Sequence, residues 1–305
     1  MPEPSPVVLF CYKRPDHTRQ TLEALRLNSL AARTELYVFS DAPRTEFERT
    51  NVDEVRRVLA RIDGFKSVNV VERSANLGLA RSVITGVSSL FERYERLVVL
   101  EDDIVTAPDY LAFINEALAA YETESRVFSV TGFNFPIAID PSYPFDAYFS
   151  YRCNSWGWAT WRDRWRMVDW DVQDYPVFKS DVQARRQFNR GGNDLANMLD
   201  LQFQGKIDSW AIRWCYAHYQ NNAFCVFPVQ SRVRNIGFDG TGVHCGVTDR
   251  LSVEIGNSLS GAAVRFPREI RPDPRIVRAF YRFNSIRLRW RLKSFLKSFL
   301  KPFLA

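Results

Sequence analysis

Apolar and polar residues alternate along the first 131 residues in blocks that predict strands followed by helices. Short aliphatic runs, each typical of a strand buried on both faces, are separated by stretches with apolar residues at helical spacing. The predicted strands cover residues 6–11, 35–40, 67–71, 97–100 and 127–131, and the helices lie between them, the last beginning at 108. This alternation predicts an α/β fold with a mainly parallel sheet and helices on both faces.

The second half of the chain loses this alternation and becomes rich in aromatic residues. Residues 133–170 hold twelve Phe, Tyr and Trp. A second hydrophobic core beneath irregular loops accounts for most of these rings. A ring that faces a ligand could instead stack on the apolar face of a sugar. Trp156 and Trp158 are the favoured candidates for acceptor binding, because Gly157 between them permits close approach.

Polar side chains follow four of the predicted strands at the point where each strand ends. They are Arg14, Asp41, the segment from Asn76 to Arg81, and residues 101–103. The carboxyl ends of parallel strands lie on one edge of a sheet, where ligands of open α/β sheets bind, so we expect these groups to converge. The glycine patterns of dinucleotide-binding and P-loop proteins are absent from the sequence.

The clearest of these strand ends is the run of Glu101, Asp102 and Asp103 after four aliphatic residues. Adjacent carboxylates repel one another, and a divalent cation would relieve that repulsion. Mg²⁺ and Mn²⁺ prefer hard oxygen ligands and commonly bridge one or two carboxylates to substrate phosphates. The run therefore indicates a metal site, although an acidic loop without a ligand remains an alternative on these residues alone.

Composition narrows the class of protein. The chain has 305 residues, of which 46% are hydrophobic and 25% are charged, as in ordinary globular proteins. The five scattered Cys, without a Cys-x-x-Cys, argue against a disulfide framework and a structural zinc site and favour a reducing compartment. No signal peptide and no apolar stretch of ~20 residues is visible, so we expect a cytoplasmic protein.

The positive charge is concentrated in the last segment. The whole chain carries +6, and residues 274–305 hold nine Lys and Arg and no acid, so the remainder carries −3. This weakens any interpretation of the main domain as a nucleic-acid binder. The segment predicts a basic amphipathic helix on an anionic membrane surface, at the inner face of the cell membrane. Packing on the main domain and an oligomer interface are the alternatives.

Several motifs, taken in order, resemble the GT-A glycosyltransferases. The strand-end motifs are similar to those of family-2-like bacterial enzymes. The second half resembles the N-acetylglucosaminyltransferase I and protein O-mannose N-acetylglucosaminyltransferase group. The resemblance covers residues 6–246 and is carried by Leu-Glu-Asp-Asp-Ile at 100–104 with Ala-Pro-Asp-Tyr at 107–110, Gly-Trp at 157–158, Ile-Asp-Ser-Trp at 207–210, and Ser231-Arg232 followed by Gly237, Gly242 and His244.

This resemblance implies an activity and a set of donor contacts. A UDP-sugar would lie across the strand ends, with Mn²⁺ or Mg²⁺ bridging its phosphates to Asp103. Asp41 would accept the uracil N3–H, Asp102 would contact the ribose, and Asn76 and Glu101 would contact other parts of the nucleotide-sugar. Arg14 and Arg81 would bind the diphosphate, since guanidinium groups match phosphate oxygens. His244 would complete the metal or diphosphate site.

The resemblance also implies transfer with inversion to a glycan or lipid-linked acceptor, with GlcNAc as its suggested sugar. Asp208 would be the general base. Ile207 stands where the group has Trp, and Asp169, Asp171 and Asp174 are rival bases. The alternatives are a sugar nucleotidyltransferase and a non-catalytic carbohydrate-binding protein. The expected organisation is a catalytic domain at 1–250, with a nucleotide half at 1–131 and an acceptor half at 132–250, a linker at 251–273 and the helix at 274–305.

Overall fold

The computed structural model describes residues 3–242, 248–256 and 263–285. His244, Cys245 and residues 286–305 therefore lie outside the described residues. Among the described residues, none of the helices combines the length and apolar character needed to cross a bilayer.

Strands and helices alternate through the first half, and the second half adds further strands among short helices. The strands are β1 Val7–Cys11, β2 Glu35–Ser40, β3 Ser67–Glu72, β4 Arg96–Glu101, β5 Ile104–Thr106, β6 Val127–Thr131, β7 Ala147–Ser150, β8 Trp158–Trp161, β9 Phe224–Pro228 and β10 Val233–Asn235. The helices are α1 Pro15–Arg26, α2 Glu46–Leu59, α3 Leu79–Leu90, α4 Tyr110–Ala120, α5 Arg162–Arg166, α6 Tyr175–Ser180, α7 Val182–Phe188, α8 Leu195–Phe203, α9 Trp210–Gln220 and α10 Pro274–Asn284.

Eight of these strands form one sheet in the order β3-β2-β1-β4-β8-β6-β9-β7. The first four positions pair in parallel, and β6 pairs in parallel with β9, whereas β8 and β7 run antiparallel to their neighbours. The five predicted strands are all present, as β1, β2, β3, β4 and β6. This confirms the α/β class with a mainly parallel sheet flanked by helices, as expected of a GT-A fold. β5 and β10 form a separate antiparallel pair.

The aromatic region is mainly a second core, as expected for most of its rings. Trp158 and Trp214 are fully buried, and Trp158 lies against Trp165 and Trp210 with ring centroids 5.7 and 5.0 Å apart. Rings of this size bury large apolar areas and dominate the packing energy where they meet. The cluster joins β8 to α9, and so fixes this part of the second half of the chain against the sheet.

A disulfide joins Cys153 to Cys215, across a sequence separation of 62 residues and with Cα atoms 5.3 Å apart. The sequence argued against a disulfide framework and did not foresee this single bridge. Pairing depends on where the fold places the two Cα atoms, which sequence spacing does not reveal. Cys11 and Cys225 are buried free thiols. Because disulfides are typical of oxidising compartments, cysteine usage no longer supports a reducing one.

The described part of the basic C-terminal segment is α10, which packs on the main domain. The helix begins at Pro274, directly after its N-cap residue Asp273. The Asp273 carboxylate accepts hydrogen bonds from the backbone N–H groups of Arg275 and Ile276. Phe280 is 2% exposed and lies against Phe135 and Phe227, with centroids 5.0 and 5.3 Å away. The first three turns are thus part of the domain, and the membrane prediction rests on the exposed face of α10 and on residues 286–305.

Candidate active site

The register of the parallel strands brings their carboxyl ends into one row. Phe10 in β1 lies opposite Phe39 in β2 and Glu101 in β4. The residues that follow these positions therefore leave the sheet side by side, as the strand-end argument predicts. A pocket of about 150 Å³ lies at this edge. Six predicted donor or metal residues line it: Arg14, Asp41, Asn76, Glu101, Asp102 and Asp103.

Arg14 and the two aspartates form the centre of this pocket, which we call the donor pocket. Arg14 is the residue before the first turn of α1, and its Nη2 contacts Asp102 Oδ1 and lies 2.9 Å from Asp103 Oδ2. The backbone N–H of Tyr12 donates to Asp102 Oδ2 at 3.2 Å. Both aspartates are buried, so this ion-paired cluster compensates part of the cost of removing their charges from water.

The charges in the donor pocket perturb one another. Burial, together with the charges of Asp103 and Asp102, raises the pKa of Glu101 to about 8. Burial also raises the pKa of Asp102, against the opposing effect of the Arg14 guanidinium. For Arg14 itself, burial favours the neutral form, but the charges of Asp102 and Asp103 outweigh burial and raise its pKa. One guanidinium thus faces three acids, a set that can accept further positive charge.

Asp41 and Asn76 hold the loop between β3 and α3 against the end of β2. Asp41 Oδ1 accepts the N–H of Leu77 at 3.0 Å, and its Oδ2 accepts the N–H of Gly78 at 3.1 Å. The Asn76 side-chain amide donates to the carbonyl of Ala42 at 2.6 Å. The local backbone therefore uses much of the acceptor capacity that Asp41 was expected to offer to a uracil base.

Sequence reasoning missed a second group at the rim of the donor pocket. Tyr12 Oη contacts Glu48, which also accepts from Lys13 Nζ at 2.7 Å. The backbone N–H of Arg44 donates to Tyr12 Oη at 3.1 Å, and its guanidinium lies 5.8 Å from the ring centroid. Tyr12 directly follows β1, and an aromatic residue at a strand end could have been predicted to contact a ligand. Only Arg14 was predicted from that segment.

A loop from the far end of the chain closes the donor pocket beside Asp103. The N–H of Ile236 donates to the Asp103 carbonyl at 2.9 Å, and Asn235 Nδ2 lies 3.4 Å from Asp103 Oδ1. A Cβ placed on Gly237 would overlap Asp103 Oδ2 and would lie 2.8 Å from Arg14 Nη1. Only a glycine leaves this space free, and Thr241 and Gly242 then line the same pocket.

The donor pocket fits a hard divalent cation that has few protein ligands. Asp102 and Asp103 supply adjacent carboxylates at the wall of the pocket, and the absence of a side chain on Gly237 lets the loop pack directly against Asp103. Within the described ranges, no three His, Cys, Asp or Glu side chains are arranged to hold a metal ion. Two carboxylates with substrate phosphates as further ligands are nevertheless a common magnesium arrangement.

The remaining predicted donor-site and base residues that the structure describes do not line the donor pocket. Asp208 is exposed, pairs with Arg213 at 3.4 Å, and does not line the pocket. Arg81 is also exposed and does not line it. Among the rival bases, Asp169 accepts the N–H groups of Asp171 and Gln173. Asp174 accepts the Tyr216 hydroxyl at 2.8 Å.

The two candidate acceptor tryptophans differ in exposure. Trp158 is fully buried in the aromatic core, so its ring does not lie at a surface that an acceptor reaches. Trp156 is half-buried and lines a second cavity, of about 320 Å³, which we call the Trp156 cavity. Arg152 also lines it and pairs with Asp194 through bonds of 2.8 and 3.0 Å, and the disulfide contributes to its wall.

One short loop separates the Trp156 cavity from the donor pocket. The Phe238 ring packs edge-on against Trp156, with centroids 5.5 Å apart. The preceding residue, Gly237, lies against Asp103 on the other side. The two cavities are therefore neighbours along the same sheet edge.

Comparison with known proteins leaves the family open. No protein-family model matches the chain, and no curated protein matches it. Among solved structures, it is similar to a mannosyltransferase from Pyrobaculum calidifontis in complex with GDP-Man and Mn²⁺, at 12% identity and a TM-score of 0.39, covering 72% of this chain and 70% of that one. It is also similar to residues 1–349 of S. aureus TarS, at 9% identity and a TM-score of 0.40, covering 75% and 59%. Likenesses at this level carry no functional argument, so the proposal below rests on the site.

Proposed function

We propose that this protein is a metal-dependent glycosyltransferase that uses a UDP-sugar. The observation that carries the proposal is the cluster of Arg14, Asp102 and Asp103 at the carboxyl edge of parallel strands. A nucleoside diphosphate needs a cation beside its phosphates and groups that accept hydrogen bonds from its ribose hydroxyls. Its base needs an aromatic or polar site. Carboxylates, a guanidinium and Tyr12 within one pocket meet these needs.

Each residue has a proposed task on the donor. Asp103 holds Mn²⁺ or Mg²⁺, Asp102 accepts from the ribose, and Arg14 donates to the diphosphate. A bound metal ion would stabilise the charge that develops on the departing diphosphate. Asp41 and Asn76 shape the base site through the loop they hold, and a direct Asp41 contact would favour uracil. Glu101 contacts the nucleotide-sugar, with Arg81 and His244 as further contacts to the phosphates or metal.

The transfer step requires a base on the acceptor side, for which we propose Asp208. It takes the proton of the acceptor hydroxyl as that oxygen bonds to the anomeric carbon. The bond from that carbon to the diphosphate breaks at the same time, so UDP leaves and the anomeric configuration inverts. Asp208 is exposed, two residues before α9. GlcNAc is the proposed sugar.

The proposed acceptor site is the Trp156 cavity. A half-buried indole offers a face for sugar C–H groups, and the Arg152–Asp194 pair offers donors and acceptors for hydroxyls. Its position across one loop from Asp103 is what transfer between two bound sugars requires. The acceptor class is a glycan or a lipid-linked glycan.

We also propose that the C-terminal segment contacts an anionic membrane surface. Arg275, Arg278 and Arg282 lie on the exposed face of α10, opposite the buried Ile276 and Phe280. The full chain should sediment with anionic liposomes at low salt and be released as salt rises. A chain ending at Ser285 keeps the packed helix and is the matched control. Equal sedimentation of that shorter chain would exclude residues 286–305 as the anchor.

Calorimetry with UDP, with and without Mn²⁺, tests the central proposal, followed by a hydrolysis screen of nucleotide sugars. We expect UDP to bind more tightly with Mn²⁺ and one UDP-sugar to be hydrolysed slowly. A carbohydrate-binding protein would bind sugars and ignore both UDP and metal. A sugar nucleotidyltransferase would form the nucleotide-sugar from a nucleoside triphosphate and a sugar phosphate. Either result would replace the proposal.

A further inference from the structure

Arg14 holds together two buried carboxylates that would otherwise repel each other. Its Nη2 contacts an oxygen of Asp102 and lies 2.9 Å from an oxygen of Asp103, and the two residues are 4% and 5% exposed. Within the described part of the chain, no other Lys or Arg is ion-paired with either aspartate. Without Arg14, both charges could persist only if another cation took its place.

A divalent cation bound to Asp103, the proposed metal ligand, would compete with Arg14 for that carboxylate. The guanidinium already contacts one oxygen of each residue, and Gly237 packs against both Asp103 Oδ2 and Arg14 Nη1. Two cations at one carboxylate repel each other, so a metal ion on Asp103 favours movement of Arg14 away from it. A partly buried guanidinium then needs a new anion, and a diphosphate matches its fork of N–H donors.

We propose that Arg14 exchanges partners during donor binding. In the free protein it pairs with Asp102 and Asp103, and it moves to the diphosphate when a divalent cation binds Asp103. This inference rests on the proposed function and adds a coupling to it. Arg14 would be released for the diphosphate when a metal ion is bound, and its pairing with the diphosphate would leave Asp103 free for the metal. Each ligand therefore raises the affinity of the other by the same factor.

The exchange predicts opposite effects of one substitution on two ligands. The full-length protein is titrated with Mn²⁺ alone, with UDP alone and with both, by calorimetry and by the paramagnetic resonance signal of free Mn²⁺. Arg14→Gln should bind Mn²⁺ alone about tenfold more tightly than wild type, since the loss of one charged hydrogen bond is of that size. The same variant should bind UDP in the presence of Mn²⁺ more weakly.

Two further variants separate charge from shape. Arg14→Lys keeps the positive charge that competes with Mn²⁺ but lacks the paired N–H donors of a planar guanidinium. Its affinity for Mn²⁺ alone should therefore stay near that of wild type, while its affinity for UDP should fall. Arg19→Gln removes an exposed guanidinium that pairs with Asp16 on the same helix, and it should leave both affinities unchanged. In thermal unfolding, Arg14→Gln should be less stable without metal and should gain more from Mn²⁺ than wild type does.

The outcomes distinguish this inference from the proposed function. If Arg14→Gln binds Mn²⁺ no better than wild type, or if wild-type UDP affinity ignores Mn²⁺, the exchange is refuted while the donor assignment stands. If wild type binds no UDP with or without Mn²⁺, the donor assignment fails. The exchange then fails as well, because Arg14 has no diphosphate to which it could move. A purely structural role for Arg14 would weaken both ligands together, which also refutes the exchange.

Discussion

Gly237 approaches the donor pocket so closely that one added methyl group tests the geometry of the whole site. A Cβ at this position would overlap Asp103 Oδ2 and would lie 2.8 Å from Arg14 Nη1. Non-bonded heavy atoms pack best at about 3.5 Å or more, so Arg14 or the loop has to shift by roughly 0.7 Å, and Asp103 by more. Gly237 does not have a positive φ, so Gly237→Ala introduces this contact without backbone strain.

The expected loss follows from that displacement. Displacing Asp103 or Arg14 weakens a charged hydrogen bond or metal contact to the ligand, and a charged hydrogen bond contributes about 1.5–3 kcal/mol. We therefore expect Gly237→Ala to bind UDP with Mn²⁺ about 10- to 100-fold more weakly, which corresponds to about 1.4–2.7 kcal/mol. Calorimetry measures the affinity, and thermal unfolding checks that the variant is folded. Gly205→Ala is the control for UDP affinity: a Cβ there meets no atom within 4 Å, and its φ of 67° makes the alanine cost stability without touching the pocket. Wild-type affinity in a folded Gly237→Ala would refute the arrangement of Asp103, Arg14 and this loop.

Three other predictions address the metal, the base and the core. Asp103→Ala should abolish transfer in a folded protein and excess EDTA should do the same, whereas full transfer in EDTA would contradict the metal assignment. Asp208→Asn should lower kcat by ~10²–10⁴-fold with UDP affinity unchanged, and wild-type turnover would place the base elsewhere. Burial lowers the pKa of His218 from 6.5 to about 4, so the unfolded chain takes up this proton first. The stability linked to this neutral imidazole is fully present above pH 6.5. The free energy of unfolding should fall by about 3 kcal/mol as the pH falls to 4. Denaturant unfolding of wild type and His218→Gln across this range measures the loss, and equal pH dependence in the two proteins would contradict it.

The convergence of the strand-end residues was predictable because it depends on short-range patterns. Each strand is a continuous apolar run, and a parallel sheet aligns the ends of such runs. Arg14, Asp41 and Asp103 each directly follow a strand or lie within three residues of its end, so their convergence required no knowledge of long-range packing. For this reason the six strand-end residues were found from the sequence together, and the structure brings them into one pocket.

The rest depended on contacts that sequence spacing does not encode. Asn235 reaches Asp103 across 132 residues, and Cys153 reaches Cys215 across 62. Gly157 suggested that a ligand could approach Trp158 closely. A glycine does not indicate, however, which side of the sheet the neighbouring side chain faces. β8 pairs on both edges, with β4 and with β6, and the Trp158 ring points into the core. Tertiary pairing thus decided the role of Trp158.

The insertion of β8 between β4 and β6 has a consequence for how this protein is made. As the nascent chain leaves the ribosome, β4 is synthesised first and its outer edge stays open until residues 158–161 emerge. The other edge of β6 stays unpaired until β9, at 224–228, has been synthesised. Open strand edges pair readily with other chains, and pairing over such separations is slow. Expression at reduced temperature or with added chaperones should therefore raise the soluble yield of the full chain, and fragments that end before β8 should aggregate.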